Sequence, residues 1–398
     1  ELDIYYQSDK FKQLLRRYED LQENISSEFL DPEELTDIAE FFHYMGDDQE
    51  AMEAIDMAIK IDPLAVIPRT FKARMALLCD KDPQLANKIA ETIIDKSDPD
   101  YEYLKAEIMI VDNKVAAADS FLKNVYDDII DPEERAGMAL DVAALFSDYE
   151  EMEYAEAWLN RSNKTEENDY KEIRAHILKS RGEYKESELI LNELLDSNPY
   201  SGPYWNQLAQ SQLLRNDINE AITSSEYSIA INPEDEEAVL NKANGLFALG
   251  NYEEALKYFE RYKKLSHEQD KSLVDISIGH IYLSQRDIHN AQQHFQMALE
   301  EAPDKNMAII QMGCSSFDNG YIEYAYHLFS TLLPSLGDDW DIGYGFLARC
   351  CYELKKKREF KKYLRQAVEK NPEECIDVLS DLYPEGTNPK DYPSFNIL

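Results

Sequence analysis

The stretch LGNYEEALKYFERY, from Leu249 to Tyr262, decides the fold of this chain. Its apolar residues recur at intervals of three and four, which places them on one face of an α-helix. These residues are Tyr252, Ala255, Leu256, Phe259 and Tyr262. Gly250 lies just before them, where the end of a preceding helix favours a residue with left-handed backbone. The stretch therefore predicts a turn followed by an amphipathic helix, the second half of a helix–turn–helix unit.

The same unit recurs along the chain with a mean period of about 34 residues. A small residue marks the first helix of each copy, at Ala39, Ala73, Ala106, Ala143, Ala175, Ala209, Ala243, Gly279, Gly313 and Ala348. A second small residue follows 12 or 13 positions later, at Ala51, Ala86, Ala118, Ala155, Ser187, Ala221, Ala255, Ala291 and Ala325, and the last copy has Phe360 there. Prolines close several copies and alternating β-branched runs are essentially absent, so the sequence predicts an all-α fold.

Two segments carry a family resemblance. They are Trp205-Asn-Gln-Leu208-Ala209 with Ala221 and Pro233, and Gly279-His-Ile-Tyr282 with Ala291, Phe295, Ala298 and Pro303. With these marks the chain resembles the tetratricopeptide repeat family, whose unit is a 34-residue helix–turn–helix. The resemblance implies a right-handed α-solenoid superhelix of about ten repeats, in which stacked units bury a continuous core. The expected repeats are 32–65, 66–98, 99–132, 136–169, 168–201, 202–235, 236–269, 272–305, 306–339 and 341–374.

The segments outside the repeats are expected to cap the solenoid. Residues 1–31 contain helical spacing at Phe11, Leu14, Leu15, Tyr18 and Leu21, and residues 375–398 are expected to hold a capping helix and a tail with several prolines. Ile376, Leu379 and Leu382 are the expected inward residues of that last helix. Repeats two and four are degenerate because they lack the turn glycine and the closing proline.

Composition limits the classes of partner. Forty-one Lys and Arg against 79 Asp and Glu give a formal net charge of −38. Such a chain repels phosphate backbones and anionic lipid, so neither nucleic acid nor membrane is an expected partner. Five cysteines without framework spacing indicate an intracellular, reduced protein, and we expect a cytoplasmic location. Because the first residue is Glu1 rather than Met, a removed leader remains open.

Catalytic motifs are missing from the sequence. We find no phosphate-binding glycine loop, no GxSxG, no HExxH and no CxxC, and thirteen glycines are spread over the whole chain. His289 and His294 do not share a helical face, and His43 and His280 are expected on groove or surface positions rather than as ligands. The sequence thus predicts no enzyme, no cofactor and no metal site.

The resemblance implies a binding groove lined by four positions of the first helix in each repeat. In repeats seven to ten these positions are mainly apolar, whereas in repeats one to five they are mainly polar or small. We expect the apolar half to bind a protein or peptide segment, with Asn244, His280 and Arg349 fixing its polar atoms. The expected partner-binding residues are Leu240, Asn244, Phe247, Leu273, Ile276, His280, Leu283, Met307, Ile310, Phe317, Arg349 and Tyr352.

Several alternatives stay open at this point. The apolar stripe could be a binding surface, it could be core filled by tight winding, or residues 384–398 could fold back and insert Tyr392, Phe395, Ile397 or Leu398.

The chain could instead be an acidic regulatory subunit or polyanion mimic that captures a basic partner through its N-terminal half. A local charge of +3 in 341–374 and −10 in 31–62 also allows weak head-to-tail self-association. Groove lysines are missing, so binding of a peptide carboxylate by a Lys and Asn clamp is not expected.

Overall fold

The structure is a computed structural model that describes residues 5–6, 8–23, 30–79, 81–266 and 271–397. The chain divides into two compact units, residues 1–199 and 200–398. Helices and short 3-10 turns are the only regular elements in the described ranges. The all-α solenoid predicted from the sequence is confirmed.

The first unit begins with one helix and continues in consecutive pairs that pack together. Its helices are α1 (Asp9–Gln22), α2 (Pro32–Tyr44), α3 (Asp48–Ile61), α4 (Ile67–Leu78), α5 (Pro83–Ala90), α6 (Pro99–Val111), α7 (Val115–Asp128), α8 (Pro132–Asp148), α9 (Met152–Ser162), α10 (Asn168–Ser180) and α11 (Tyr184–Ser197).

The second unit continues the same pairing and ends in a single helix with 3-10 turns. Its helices are α12 (Gly202–Leu214), α13 (Ile218–Ile231), α14 (Glu236–Ala248), α15 (Tyr252–Leu265), α16 (Ser272–Ser284), α17 (Ile288–Glu301), α18 (Lys305–Asp318), α19 (Ile322–Leu332), α20 (Tyr344–Glu353), α21 (Lys357–Lys370) and α22 (Pro372–Leu379).

Aspartates start many of these helices. The side chain of Asp31 accepts from the backbone N–H of Glu34, whose own carboxylate accepts from the Asp31 N–H. This capping box satisfies two backbone donors that the first turn of a helix leaves without partners. The side chains of Asp47, Asp82 and Asp131 also accept from backbone N–H groups in the first turns of α3, α5 and α8. Part of the acidic surplus therefore lies at helix N-termini, where the helix dipole favours negative charge.

A left-handed residue separates the two helices of each pair. Across the described ranges these residues are Gly46, Lys81, Asn113, Glu150, Gly182, Asn216, Gly250, Arg286, Gly320 and Lys355. Lys81 and Glu150 belong to the two degenerate repeats, which lack both the turn glycine and the closing proline, and they adopt φ values of 53° and 58°. A side chain in this conformation costs roughly 1–2 kcal/mol. The degenerate repeats thus keep the turn at some cost in stability.

The small residues of the repeat lie where two helices of a pair approach most closely. Ala39, Ala243 and Ala348 are fully buried. A Cβ built on Gly279 would lie 2.4 Å from the ring of Phe295, and one on Gly313 would lie 2.6 Å from the ring of Phe329. Each pair of helices therefore combines a small residue on one helix with a large one on the other.

The predicted caps differ in accuracy. In α1, Phe11, Leu14 and Tyr18 are buried in one cluster with Leu35, as expected. In α22, Cys375 and Leu379 are buried, but the predicted core residue Ile376 is exposed. The helix starts at Pro372 with Asn371 as its cap, and this phase turns Cys375 inward in place of Ile376, together with the predicted Leu379.

The tail packs at the end of the second unit. Its 3-10 turn, Pro389–Ser394, contacts α21 and α22. Tyr392 stacks on Tyr383 with 3.8 Å between ring centroids, and Phe395 lies 5.6 Å from the same ring. Of the residues named in the fold-back alternative, Tyr392 and Phe395 thus pack against Tyr383 at the last helices, and Ile397 packs partly buried against the same C-terminal core. Leu398, the fourth residue of that alternative, lies outside the described residues.

Candidate functional site

The residues predicted to bind a partner lie on the first helices of four consecutive pairs, α14, α16, α18 and α20. Nine of them are exposed or half-buried, and we call these nine the A-helix face. The face consists of Leu240, Asn244, Phe247, Leu273, His280, Met307, Phe317, Arg349 and Tyr352. Leu273 has the most accessible apolar side chain among them, with 60% of its surface exposed. Asn244 is also exposed, and the others contribute partial surface.

The remaining three predicted residues are core. Ile276 and Leu283 are buried in a cluster with Ala291 and Phe295, and Ile310 is buried against other residues of the C-terminal core. In their repeats these side chains turn toward the neighbouring helices and not toward solvent. For them the second alternative, an apolar stripe filled by packing, describes the structure.

His280 lies at the centre of the face. Its Nδ1 is 3.1 Å from the hydroxyl of Ser315 and its Nε2 is 3.4 Å from the hydroxyl of Tyr252. The ring of Phe247 meets it edge-on at 5.1 Å. Burial lowers the pKa of His280, and Asp318 opposes this effect. The lowered pKa favours the uncharged imidazole, which has one donor and one acceptor, and these face Ser315 and Tyr252.

Sequence reasoning missed Tyr252 and Ser315. Tyr252 is the first residue of α15, and Ser315 is next to a groove position of α18. Neither belongs to the four first-helix positions that the family resemblance implies. The ring of Tyr252 lies 5.5 Å from Phe247, so the turn between α14 and α15 contributes to the face as well.

A buried charge cluster fixes the helix that carries Leu273 and His280. Asp275, on the opposite side of α16, is fully buried. It accepts from Lys263 Nζ at 2.7 and 3.0 Å and contacts His294 Nδ1 at 2.5 Å. Burial raises the pKa of Asp275, but the hydrogen bonds from His294 and Lys263 outweigh it and the pKa is lowered. The ionised carboxylate therefore ties α15, α16 and α17 together.

Arg349 has its donors engaged inside the chain. Its Nε donates to Glu353 at 2.9 Å, and its Nη1 donates to the carbonyl of Val378 at 3.2 Å and to Asp381. The guanidinium also lies over the ring of Tyr352. A partner that used Arg349 would compete with these contacts, so the end of the face near α20 offers fewer polar contacts than the sequence suggested.

The corresponding positions of the first unit are polar, and several neutralise each other. Arg74 binds the carboxylate of Glu107 through Nε at 3.0 Å and Nη2 at 3.0 Å. His176 lies 2.9 Å from the hydroxyl of Ser147 and 3.4 Å from Glu150. Burial lowers the pKa of His176. Glu107 and His176 therefore contribute less net charge to a partner than their sequence positions implied.

One group of side chains in the described residues has metal-ligand chemistry. Atoms of His43, Asp48 and Cys79 all lie within 4.8 Å of one another, and all three residues are exposed. His43 Nδ1 is 2.7 Å from Asp48 Oδ1, an arrangement that an ordinary ion pair explains. Zinc uses these ligand types but takes four of them in structural sites.

The buried thiols are not nucleophiles. Burial raises the pKa of Cys350 and of Cys351 to about 12, and the pKa of Cys375 also rises to about 12. Since the thiolate is the reactive form, these cysteines pack as small apolar residues at neutral pH. In the ranges that the structure describes, no helix has both the length and the apolar character needed to cross a membrane.

Comparisons with known proteins agree with the geometry. A family model described as "Tetratricopeptide repeat" matches residues 236–267, 276–305 and 343–374. Intraflagellar transport protein 70A from Xenopus tropicalis is 26% identical over 170 residues, and its Xenopus laevis counterpart is 25% identical over the same length. Each match covers 43% of this chain and 25% of the relative, so the chain matches about a quarter of those proteins.

Two solved structures matched by the chain share little sequence with it. The crystal structure of the APC/C hetero-tetramer Cut9–Hcn1 is matched with a TM-score of 0.47 at 15% identity, over 85% of this chain and 67% of that chain. PilW, described as a type IV pilus biogenesis factor, is matched with a TM-score of 0.45 at 17% identity, over 53% of this chain and 98% of its own.

Proposed function

We propose that this chain, a tetratricopeptide repeat protein, is a non-catalytic scaffold that holds a protein or peptide segment on the A-helix face of its second unit. Leu273 and the half-buried rings of Phe247 and Phe317 are the apolar anchors. Asn244 supplies a hydrogen bond that orients the segment, and His280 bonds the segment by exchanging one of its present partners, Ser315 or Tyr252. Packing against these apolar side chains thereby contributes more to the binding free energy than the polar contacts do.

The observation that supports this proposal is the pairing of Leu273 with His280. The two residues are seven positions apart on α16, so they lie on the same side of the helix two turns from each other. One presents exposed apolar surface, and the other presents an imidazole whose orientation is set by Tyr252 and Ser315. Apolar surface beside a few oriented polar groups is typical of a binding site.

The test compares two matched substitutions in one repeat. Leu273→Asp removes the proposed anchor, and Ile288→Asp changes another exposed apolar residue, 47% exposed, in the first turn of the next helix. Both place a carboxylate near a helix N-terminus, where the dipole tolerates it, so their effects on stability should be similar. Burial of one leucine contributes about 1.5–3 kcal/mol, so Leu273→Asp should weaken binding at least tenfold.

The measurement is affinity capture from a lysate of the source organism, washed at low and at high salt. Packing against apolar surface survives high salt, whereas attraction between exposed charges is screened. A protein retained at high salt by the wild type and by Ile288→Asp, but not by Leu273→Asp, supports the proposal. Equal retention by the two variants contradicts it, and a partner that all three release at high salt indicates an electrostatic site elsewhere.

A further inference from the structure

The first unit contains a large open cleft between α6, α7 and α8. Its volume is about 1090 Å³. Tyr103, Phe121, Val125 and Met138 provide apolar lining, and Ile130 forms part of the rim. These residues come from three helices and from the segment 129–131 that joins α7 to α8. The cleft lies entirely within the first unit and shares no residue with the A-helix face.

The joining segment holds Ile130 outward. Asp131 caps α8 by accepting from the backbone N–H groups of Glu133 and Glu134 at 3.0 and 2.9 Å. Arg135 donates to the carbonyls of Asp127, at 3.2 Å, and of Ile129. With the backbone fixed on both sides, the side chain of Ile130 is 94% exposed. An isoleucine held in water by an ordered segment gains free energy from any partner that covers it.

Gly137 keeps the cleft open. It lies inside α8, where glycine is less stable than alanine by roughly 0.5–1 kcal/mol. No heavy atom lies within 4 Å of a Cβ built there, in contrast to the tight positions at Gly279 and Gly313. Packing between helices therefore does not explain this glycine, and the space that a side chain would take belongs to the cleft.

The charge of the cleft has one sign. Five carboxylates line it, those of Glu102, Asp128, Asp131, Glu134 and Asp141, and its described lining holds no Lys, Arg or His. Asp141 accepts a hydrogen bond from the hydroxyl of Tyr103 at 3.1 Å. Burial, followed by the charges of Asp98 and Asp95, raises the pKa of Glu102. Carboxylates set among apolar walls concentrate a negative potential that attracts a cationic ligand.

We propose that this cleft docks a partner-protein segment in which one apolar side chain lies between Lys or Arg residues. The apolar side chain enters beside Ile130 and Met138, and the cations approach the carboxylates of the rim. The charge of the lining selects the flanking residues, while the apolar surface supplies the attraction that survives screening. The cleft is a second docking surface on the scaffold and requires nothing of the A-helix face.

A second copy of this chain fits the cleft less well. Within the described residues, α21 presents a basic surface on which Lys357, Lys361 and Arg365 are exposed. The apolar residues of that helix, among them Phe360 and Leu364, are buried in its own core. The helix could satisfy the carboxylates of the cleft but would leave its apolar lining uncovered.

The experiment selects peptides on the 398-residue chain from a phage-displayed library of random twelve-residue peptides. The most enriched peptide is synthesised with a fluorescein label, and its binding is measured by fluorescence anisotropy. We expect the enriched peptides to carry a large apolar residue flanked by Lys or Arg. Enrichment of acidic or uncharged peptides, or no enrichment, overturns the proposal.

Three variants then locate the bound peptide. Ile130→Ser should weaken binding at least tenfold, and Gly137→Met should do the same by filling the cleft while replacing a residue that destabilises the helix. Leu189→Ser changes an isoleucine-sized side chain on α11 that is 67% exposed, and it should leave binding within twofold. Equal affinity in Ile130→Ser and Leu189→Ser overturns the proposal.

Two further results distinguish peptide binding in the cleft from binding at the A-helix face and from occupation of the cleft by a second copy of the chain. Peptide binding that is lost in Leu273→Asp but kept in Ile130→Ser assigns the peptide to the A-helix face and overturns the cleft. Sedimentation that shows a dimer of the wild type and a monomer of Ile130→Ser identifies a second copy as the occupant, which also overturns it. Because the two surfaces are tested by different substitutions, failure of one leaves the other standing.

Discussion

Truncation of Asp275 should destabilise the second unit far more than loss of an exposed ion pair. The carboxylate is fully buried, and it holds Lys263 at 2.7 Å and His294 at 2.5 Å. Asp275→Ala would leave the ammonium and the imidazole facing each other without an anion. Breaking a buried pair by removing one partner costs about 3–5 kcal/mol, and we expect about 3 because Lys263 still reaches solvent.

The assay is guanidinium denaturation of the full chain followed by circular dichroism, together with hydrogen exchange of the amides in α15, α16 and α17. Exchange is included because repeat proteins open locally as well as globally. Glu253→Gln is the control, since Glu253 forms an exposed pair with Lys257 at 3.7 Å that should contribute less than about 1 kcal/mol. A cost below about 1 kcal/mol for Asp275→Ala, or unchanged exchange in α16, would refute the role given to this cluster.

Three other predictions concern two glycines in helices, the protonation of His280 and the reactivity of the cysteines. Gly137→Ala should stabilise the chain by about 0.5–1 kcal/mol. Gly279→Ala should destabilise it by about 1–3 kcal/mol because its Cβ would meet the ring of Phe295. Thermal unfolding should therefore show a higher melting temperature for the first variant and a lower one for the second. Burial lowers the pKa of His280 below 6.5, so the unfolded chain binds this proton first and stability falls as the pH drops below about 6.5. His280→Gln should reduce that loss, measured as the difference in urea midpoint between pH 7.5 and 5.5, and an unchanged difference would contradict this. In the native protein, Cys79 should react fastest with a disulfide reagent because it is exposed. Burial raises the pKa of the other four cysteines to about 12, so their thiols should react slowly. Rapid reaction of several thiols would contradict this prediction.

The repeat itself could be predicted from the sequence because its physical cause is local. A small residue at Gly279 and a large one at Phe295 must both be present for two helices of a pair to approach closely, and both can be recognised in the sequence. The positions of turns follow in the same way. Glu150 adopts the left-handed conformation without being glycine because the helices on either side determine the geometry of the turn.

The binding face could be predicted only in part because it depends on how one repeat packs on the next. Ile276 and Ile310 occupy groove positions by sequence count, yet neighbouring helices cover them. Arg349 donates to Asp381, which is 32 residues further along the sequence, so a local sequence pattern could not predict this contact. The cleft at Ile130 did leave a trace in the sequence, since an apolar pair, Ile129-Ile130, lies between acidic residues in a segment that joins two helices.

The net charge of −38 says less about partners than the position of a few carboxylates does. An aspartate that caps a helix, such as Asp31, faces backbone N–H groups and the positive end of the helix dipole. The carboxylate of Glu107 is neutralised by Arg74. By contrast, the carboxylates of Glu102, Asp128 and Glu134 line open space beside apolar side chains, where their potential acts on whatever enters. Capture of a basic segment by this cleft therefore requires local geometry as well as charge, and it should keep part of its affinity at salt concentrations that abolish binding to an acidic surface alone.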